Sequence, residues 1–234
     1  MKKLGLILGN HLFDKKYFVD FPKDIFMCED QGLCTHFKYH KHKIIHFLAS
    51  MREFSDYLSQ LKTVHYYFVQ PQSHFESCLD ETVKKLKIQE IISYEIEDKF
   101  FENFITQFCI KRKIHLNIKP SPMFLCSHKD FKAFLQETKK PLLNNFYIKL
   151  RKKHSILMDG DIPMGGQWNF DHDNRKKIPK NHRVQDFYPP PLKSPHINSV
   201  KDSVDLYFSD HHGESSQYWI PTNRDQAIKW FDLY

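Results

Sequence analysis

The chain has 234 residues, 41% of them apolar, and a mean hydropathy of −0.58. That length supports one large domain, or one domain with an extension, and that composition excludes wholesale disorder. No apolar run approaches the roughly 20 residues that cross a bilayer. The formal charge of +7, before 15 histidines are counted, favours phosphate and nucleic-acid surroundings without locating a patch.

Met1-Lys2-Lys3 and the short apolar run at 4–8 end at Gly9, Asn10, His11 and Asp14, too soon for an export signal, so the run reads as a first buried strand. With no other address, a cytoplasmic location is expected. A second strand is predicted over 25–28, entered after Pro22 and left at Glu29-Asp30. Ile44, Phe47, Leu48, Met51, Phe54, Leu58 and Leu61 recur at spacings of three and four and predict a long helix. A strand follows at 64–69, closed by Pro71. Phe75, Leu79, Val83 and Leu86 predict another helix, and a strand at 90–94 comes next. Phe100, Phe101, Phe104, Ile105 and Phe108 mark a third helix, and a fifth strand at 114–118 is closed by Pro120 and Pro122. Strands and helices alternate through short connections, and the strands lack strict polar alternation. Both features predict a doubly wound, Rossmann-like or flavodoxin-like parallel α/β sheet of about five strands, with helices on both faces.

Past Ser127 the character changes. Helices are expected near 131–135 and 142–150. From about Lys153 the chain becomes irregular, with Gly165-Gly166, Pro179, Pro189-Pro190-Pro191 and Pro195. The expected division is 1–152 for the α/β domain and 153–234 for an irregular connector. Late helices are predicted near 199–209 and 223–234, the second capped from Thr222 and Asp225. Its apolar face, Ala227, Trp230, Phe231 and Tyr234, implies either docking back on the domain or a partner.

In doubly wound folds ligands sit outside the carboxyl ends of the strands. That rule selects Gly9, Asn10 and His11 after the first strand and Glu29 and Asp30 after the second as the candidate ligand residues. Gly permits close backbone approach, and Asn and His offer donors and acceptors to a heteroaromatic ring or a ribityl chain. A plain surface turn remains the simpler reading of the spacing alone. There is no Gly-x-Gly-x-x-Gly and no Walker loop, so a direct nucleotide phosphate site is unsupported.

Lys38, His40, Lys41, His42, Lys43 and His46 crowd the start of the long helix, where cations oppose the helix dipole. The placement calls for a partner, whether Glu29 and Asp30 or an anionic ligand, and a solvated basic turn is the plainer reading. His42 and His46 have metal-pair spacing but no completing ligand nearby. Asp171-His172-Asp173 and Asp210-His211-His212 lack a nucleophile motif, and Arg175, Lys176, Lys177, Lys180 and Arg183 form a basic run. No catalytic residue and no metal ligand is assigned. Cys28, Cys34, Cys78, Cys109 and Cys126 are scattered, odd in number and without a Cys-x-x-Cys pair, which argues for reduced thiols.

Several stretches carry a more specific message: Leu8-Gly9 with Leu12, His40-Lys41-His42-Lys43-Ile44 leading to Ser50-Met51-Arg52-Glu53-Phe54, Phe124-Leu125-Cys126-Ser127, Phe146-Tyr147, Leu157-Met158-Asp159-Gly160, Gly165-Gly166-Gln167-Trp168-Asn169-Phe170-Asp171, and Asn174-Arg175-Lys176. Over nearly the whole chain these resemble the deoxyribodipyrimidine photolyase-related proteins, a prokaryotic cryptochrome and photolyase branch. The family reads Gly-Asp-Gln-Leu where this chain has Gly9-Asn10-His11-Leu12. Glu29 matches a family glutamate, while Gly32-Leu33-Cys34 replace further acidic residues.

The resemblance implies an N-terminal antenna-type domain holding 6,7-dimethyl-8-ribityllumazine. It also implies a separate helical domain, absent from this chain, that binds FAD, carries an iron–sulfur cluster and acts on ultraviolet-damaged DNA or senses light. The expectation is therefore a truncated or split member, inactive alone and carrying neither FAD nor the cluster, with DNA and a separate FAD-binding half as its partners. The alternative is a vestigial α/β module that binds a partner protein or nucleic acid without pigment. An independent hydrolase or transferase lacks a supporting motif.

Overall fold

The computed structural model describes residues 1–71, 74–183 and 194–233. These form two compact units, one of residues 1–122 with the C-terminal stretch from 194, the other of residues 123–183. The first holds a five-stranded, all-parallel sheet in the order β3-β2-β1-β4-β5, from β1 (Lys3–Leu6), β2 (Asp24–Cys28), β3 (Thr63–Tyr67), β4 (Glu90–Tyr94) and β5 (His115–Lys119). Its helices are α1 (Gln31–Thr35), α2 (Lys41–Ser59), α3 (Phe75–Leu86) and α4 (Lys99–Arg112), with α7 (Ile197–Tyr207) and α8 (Arg224–Asp232) at the C-terminal end. This is the doubly wound α/β class that the alternation of elements predicted.

Both faces of the sheet are covered, so its strands read as apolar runs. Along β2, Phe26 and Cys28 join the cluster with Leu79, Phe101 and Ile105 of α3 and α4. Ile25 and Met27 point the other way, into a cluster with Phe18, Phe21, Met51 and Leu58. Gly5 is required at the centre of β1, because a Cβ there would lie 2.6 Å from Ile25 Cδ1. Helices α3 and α4 end on Lys87 and Lys113 in left-handed conformation, and each returns the chain directly to the next strand.

The C-terminal stretch packs against α2. Val200, Val204 and Phe208 are fully buried beside Ile44, Ile45, Leu48 and Ala49. Polar contacts run along the same seam: His196 to Asp56 (2.6 Å), Arg52 to Ser199 (3.1 Å), His46 to Tyr218 (2.9 Å), and Thr222 and Asn223 to Glu53. The partners of the basic turn before α2 come from here. Lys38 pairs with Asp210 and Lys41 with Asp205, and the Lys41 N–H donates to the His212 carbonyl. Acids more than 160 positions away thus pair with two of these lysines, where the sequence offered Glu29 and Asp30, a ligand or solvent. His211 is buried and its Nδ1 donates to the Tyr39 carbonyl (2.8 Å).

Helix α8 is capped by Asn223, one residue after the expected Thr222, and buries none of its side chains. Phe231 is 81% exposed and Trp219 stacks on Trp230 at 5.2 Å. Tyr234 and the triple proline at 189–191 lie outside the described residues.

The second unit contains α5 (His128–Glu137), α6 (Leu143–His154) and a small antiparallel pair, β6 (Met158–Asp159) with β7 (Ile162–Pro163). Composition placed a break at 152/153, and α6 spans that point. Arg151 ties α6 to the turn beyond it, donating to the carbonyls of Ile156, Leu157 and Trp168. Ser127 and Asp130 form a reciprocal capping box at α5, with Asp130 also bound to Lys153 at 2.9 Å. Ser127→Ala removes one half of that box and is expected to cost about 1 kcal/mol, read as faster hydrogen exchange in the first turn of α5.

Candidate ligand site

A cavity of about 310 Å³ opens at the carboxyl ends of β1, β2 and β4. The chain leaves β1 for one side of the sheet and later returns to β4 on the other, so the two loops diverge and leave a crevice. The walls come from Leu8, Ile44, Leu48, Met51, Ile96 and Phe101, and the rim from Asn10, Asp30, His36, Tyr39, Lys43 and Asp98. His36 stacks on Phe100 at 4.5 Å and 14°, and the Lys43 ammonium lies 3.9 Å from the centre of the Tyr39 ring. Gly9 is part of the wall for reasons of space: a Cβ would stand 3.1 Å from both Met51 Sδ and Phe47 Cδ1.

The five residues selected by the strand-end rule separate here. Gly9, Asn10, Glu29 and Asp30 line the cavity, and His11 does not. The His11 ring is fully buried, with Nδ1 facing the Leu8 N–H at 3.5 Å and Nε2 facing the Glu95 carbonyl at 3.1 Å. A carbonyl only accepts, so Nε2 carries the proton and the ring is neutral. Burial, opposed by the bond to Glu95, lowers its pKa to about 4.

Glu29 is 1% exposed, and both its carboxylate oxygens are engaged. Arg52 of α2 grips it in fork geometry at 2.6 and 3.0 Å, the Tyr66 hydroxyl donates at 2.7 Å, and the Val69 N–H donates at 2.9 Å. Burial works against the Arg52 charge, but the bonds and charge of Glu29 outweigh it, and its pKa is held above the usual value. Burial, then the Glu29 charge and hydrogen bond, pushes the Tyr66 hydroxyl well up. Asp30 joins two elements: Oδ1 accepts the Leu33 N–H of α1 at 2.7 Å and Oδ2 the Phe75 N–H of α3 at 2.8 Å.

Arg52, Tyr66 and Asp98 carried no signal as site residues. Arg52 in particular falls at a helical position one step past the apolar stripe, and only the fold shows that it points at Glu29. The cavity thiols are unreactive at neutral pH, since Cys28 is pushed up by burial and Cys34 to about 12 by burial and then the Asp30 and Glu29 charges. The arrangement is built for holding a compound, with apolar walls for a ring and a polar rim for a tail. Among the described residues no group of three or more His, Cys, Asp or Glu is placed to hold a metal ion, and no helix is long and apolar enough to cross a membrane.

The fold is a doubly wound, all-parallel α/β unit with a cavity at its strand ends. The family model for deoxyribodipyrimidine photo-lyase-related protein matches residues 5–219, and the chain belongs to that family. It is similar to a (6-4) photolyase of Agrobacterium fabrum (strain C58 / ATCC 33970), 26% identical over 235 residues, which cover 97% of this chain and 46% of that protein. It is also 26% identical over 200 residues to uncharacterized protein R852 of Acanthamoeba polyphaga mimivirus, covering 76% of this chain and 96% of that protein. The chain thus spans about half the length of the first relative and nearly all of the second.

Proposed function

We propose that the α/β unit is the antenna-type module of a cytoplasmic photolyase-related protein concerned with light-dependent DNA repair or photoreception, and that its cavity takes a planar heteroaromatic pigment with a polyhydroxylated tail, of the 6,7-dimethyl-8-ribityllumazine type. The observation that carries this reading is the cavity at the β1/β4 switch point, apolar in depth and polar at the rim. Ile44, Leu48, Met51, Ile96 and Phe101 exclude water from the ring, and Asn10 and Asp98 offer hydrogen-bonding groups to hydroxyls. Bound there, such a pigment supplies absorption in the near ultraviolet or violet. Repair in the family draws its electron from a flavin held by a helical domain, so the role proposed for this chain is light collection, with DNA and a flavin-binding half as partners.

Titration with 6,7-dimethyl-8-ribityllumazine, followed by its fluorescence, is expected to give one saturable site. Gly9→Leu fills the wall against Phe47 and Met51 and is expected to weaken binding by about tenfold or more. Absence of saturable binding overturns the reading and leaves the alternative, a pigment-free module for a partner protein or nucleic acid.

A further inference from the structure

Cavities at strand ends commonly take phosphates, because helix N-termini there present free N–H groups and a positive dipole end. In this protein the starts of α1, α2 and α3 beside the cavity are bonded to the protein itself. Asp30 alone closes two, accepting the Leu33 N–H of α1 and the Phe75 N–H of α3. At α2 the Lys41 N–H donates to the His212 carbonyl at 3.0 Å and the His42 N–H to His40 Nδ1 at 3.0 Å. The start of α4 carries Asp98, an exposed carboxylate on the cavity rim that makes no side-chain capping bond.

Charge points the same way. Of the acids that line the cavity, Glu29 is paired with Arg52, while Asp30 is bonded to backbone N–H groups and, among the described residues, neither it nor Asp98 forms an ion pair. Lys43 is the one Lys or Arg among the described lining residues, and it sits over the Tyr39 ring. A phosphate entering here would meet the Asp30 and Asp98 carboxylates, and the uncapped start of α4 is the one that carries Asp98, whereas hydroxyl groups donate readily to carboxylates.

We infer that the cavity admits an uncharged ring compound bearing a polyol and rejects its phosphate ester, with Asp30 and Asp98 as the residues that set this preference. The inference rests on the small-molecule reading proposed above and adds a chemical class and its determinants to it. Asp98 discriminates by repulsion at the rim. Asp30 discriminates twice, by its charge and by occupying the N–H groups that a phosphate would use.

The test compares 6,7-dimethyl-8-ribityllumazine with its 5′-phosphate, the two differing only in the phosphate, titrated into the full chain at low salt. The unphosphorylated compound is expected to bind tighter by a factor on the order of ten or more, the effect of bringing a dianion beside two carboxylates. Asp98→Asn keeps a hydrogen-bonding group at the rim and removes the charge, and is expected to raise the affinity for the phosphate ester relative to that for the unphosphorylated compound severalfold. Lys43→Gln is expected to widen the gap. Equal affinities for the two compounds in the unmodified chain overturn the inference while leaving the pocket reading intact, as does a gap that Asp98→Asn does not narrow. Failure of both compounds to bind overturns the pocket reading and the preference with it.

Discussion

Arg52→Ala is expected to lower the unfolding free energy of the α/β unit by about 3–5 kcal/mol, the cost of leaving a buried charge without its partner. Glu29 is 1% exposed and Arg52 6%, so water does not replace the guanidinium. The Tyr66 hydroxyl and the Val69 N–H remain, and two neutral donors do not offset a desolvated carboxylate. The loss extends beyond the pair, because Arg52 also donates to Ser199 and lies 4.9 Å from the centre of the Phe68 ring. Set against a typical total of about 5–15 kcal/mol, this one change brings the unit close to unfolding. Urea denaturation followed by circular dichroism measures it. The double variant Glu29→Gln with Arg52→Met removes both charges and is expected to recover most of the loss. A single-variant cost below about 1 kcal/mol would show that the pair is solvated in solution.

Acid is expected to destabilise the same unit well above the pH at which carboxylates protonate. The folded pKa of His11, about 4, lies below the ordinary imidazole value of 6.5. Between those values the unfolded chain binds a proton that the folded chain excludes, so stability rises with pH across that window. The contribution is fully present above about pH 6.5 and is lost as pH falls toward 4. The loss amounts to about 2 kcal/mol by pH 5 and about 3 kcal/mol by pH 4. His46, whose pKa is also lowered by burial, adds in the same direction where it meets Tyr218. Urea midpoints at about pH 7.5 and pH 5 read the effect. His11→Gln is expected to remove most of the slope between them, since an amide retains a donor and an acceptor and takes no proton. An unchanged slope in that variant would place the titration elsewhere.

Glu29 and His11 both stood out in the sequence as strand-end polar groups, and neither offers its polar atoms to the cavity. Glu29 lines the wall while its oxygens face Arg52, Tyr66 and Val69, and His11 turns inward to the Leu8 and Glu95 backbone. A polar residue beside a strand end has two ways to satisfy its hydrogen bonds, through a ligand or through the protein. Spacing along the chain does not distinguish them.

Local pattern alone determined the strands at 25–28 and 90–94, the apolar face of α2 and the alternation that makes the sheet parallel. Those features depend on residues within one turn or one pleat of each other, which periodicity reports directly. The motif run from Gly165 to Asp171 carried the family, which the match over residues 5–219 shows. Helix α1 escaped because five residues, Gln31–Thr35, hold too few turns for a period to register. Only the tertiary structure decided that the stretch from Ile197 to Phe208 closes over α2, that Asp205 and Asp210 neutralise the lysines before it, and that Asp30 closes two helix starts at once. Apart from the local bond to Leu33, each of these joins positions tens to hundreds of residues apart. Such pairings arise from the direction in which the packed elements point, and that direction exists only once the sheet has formed.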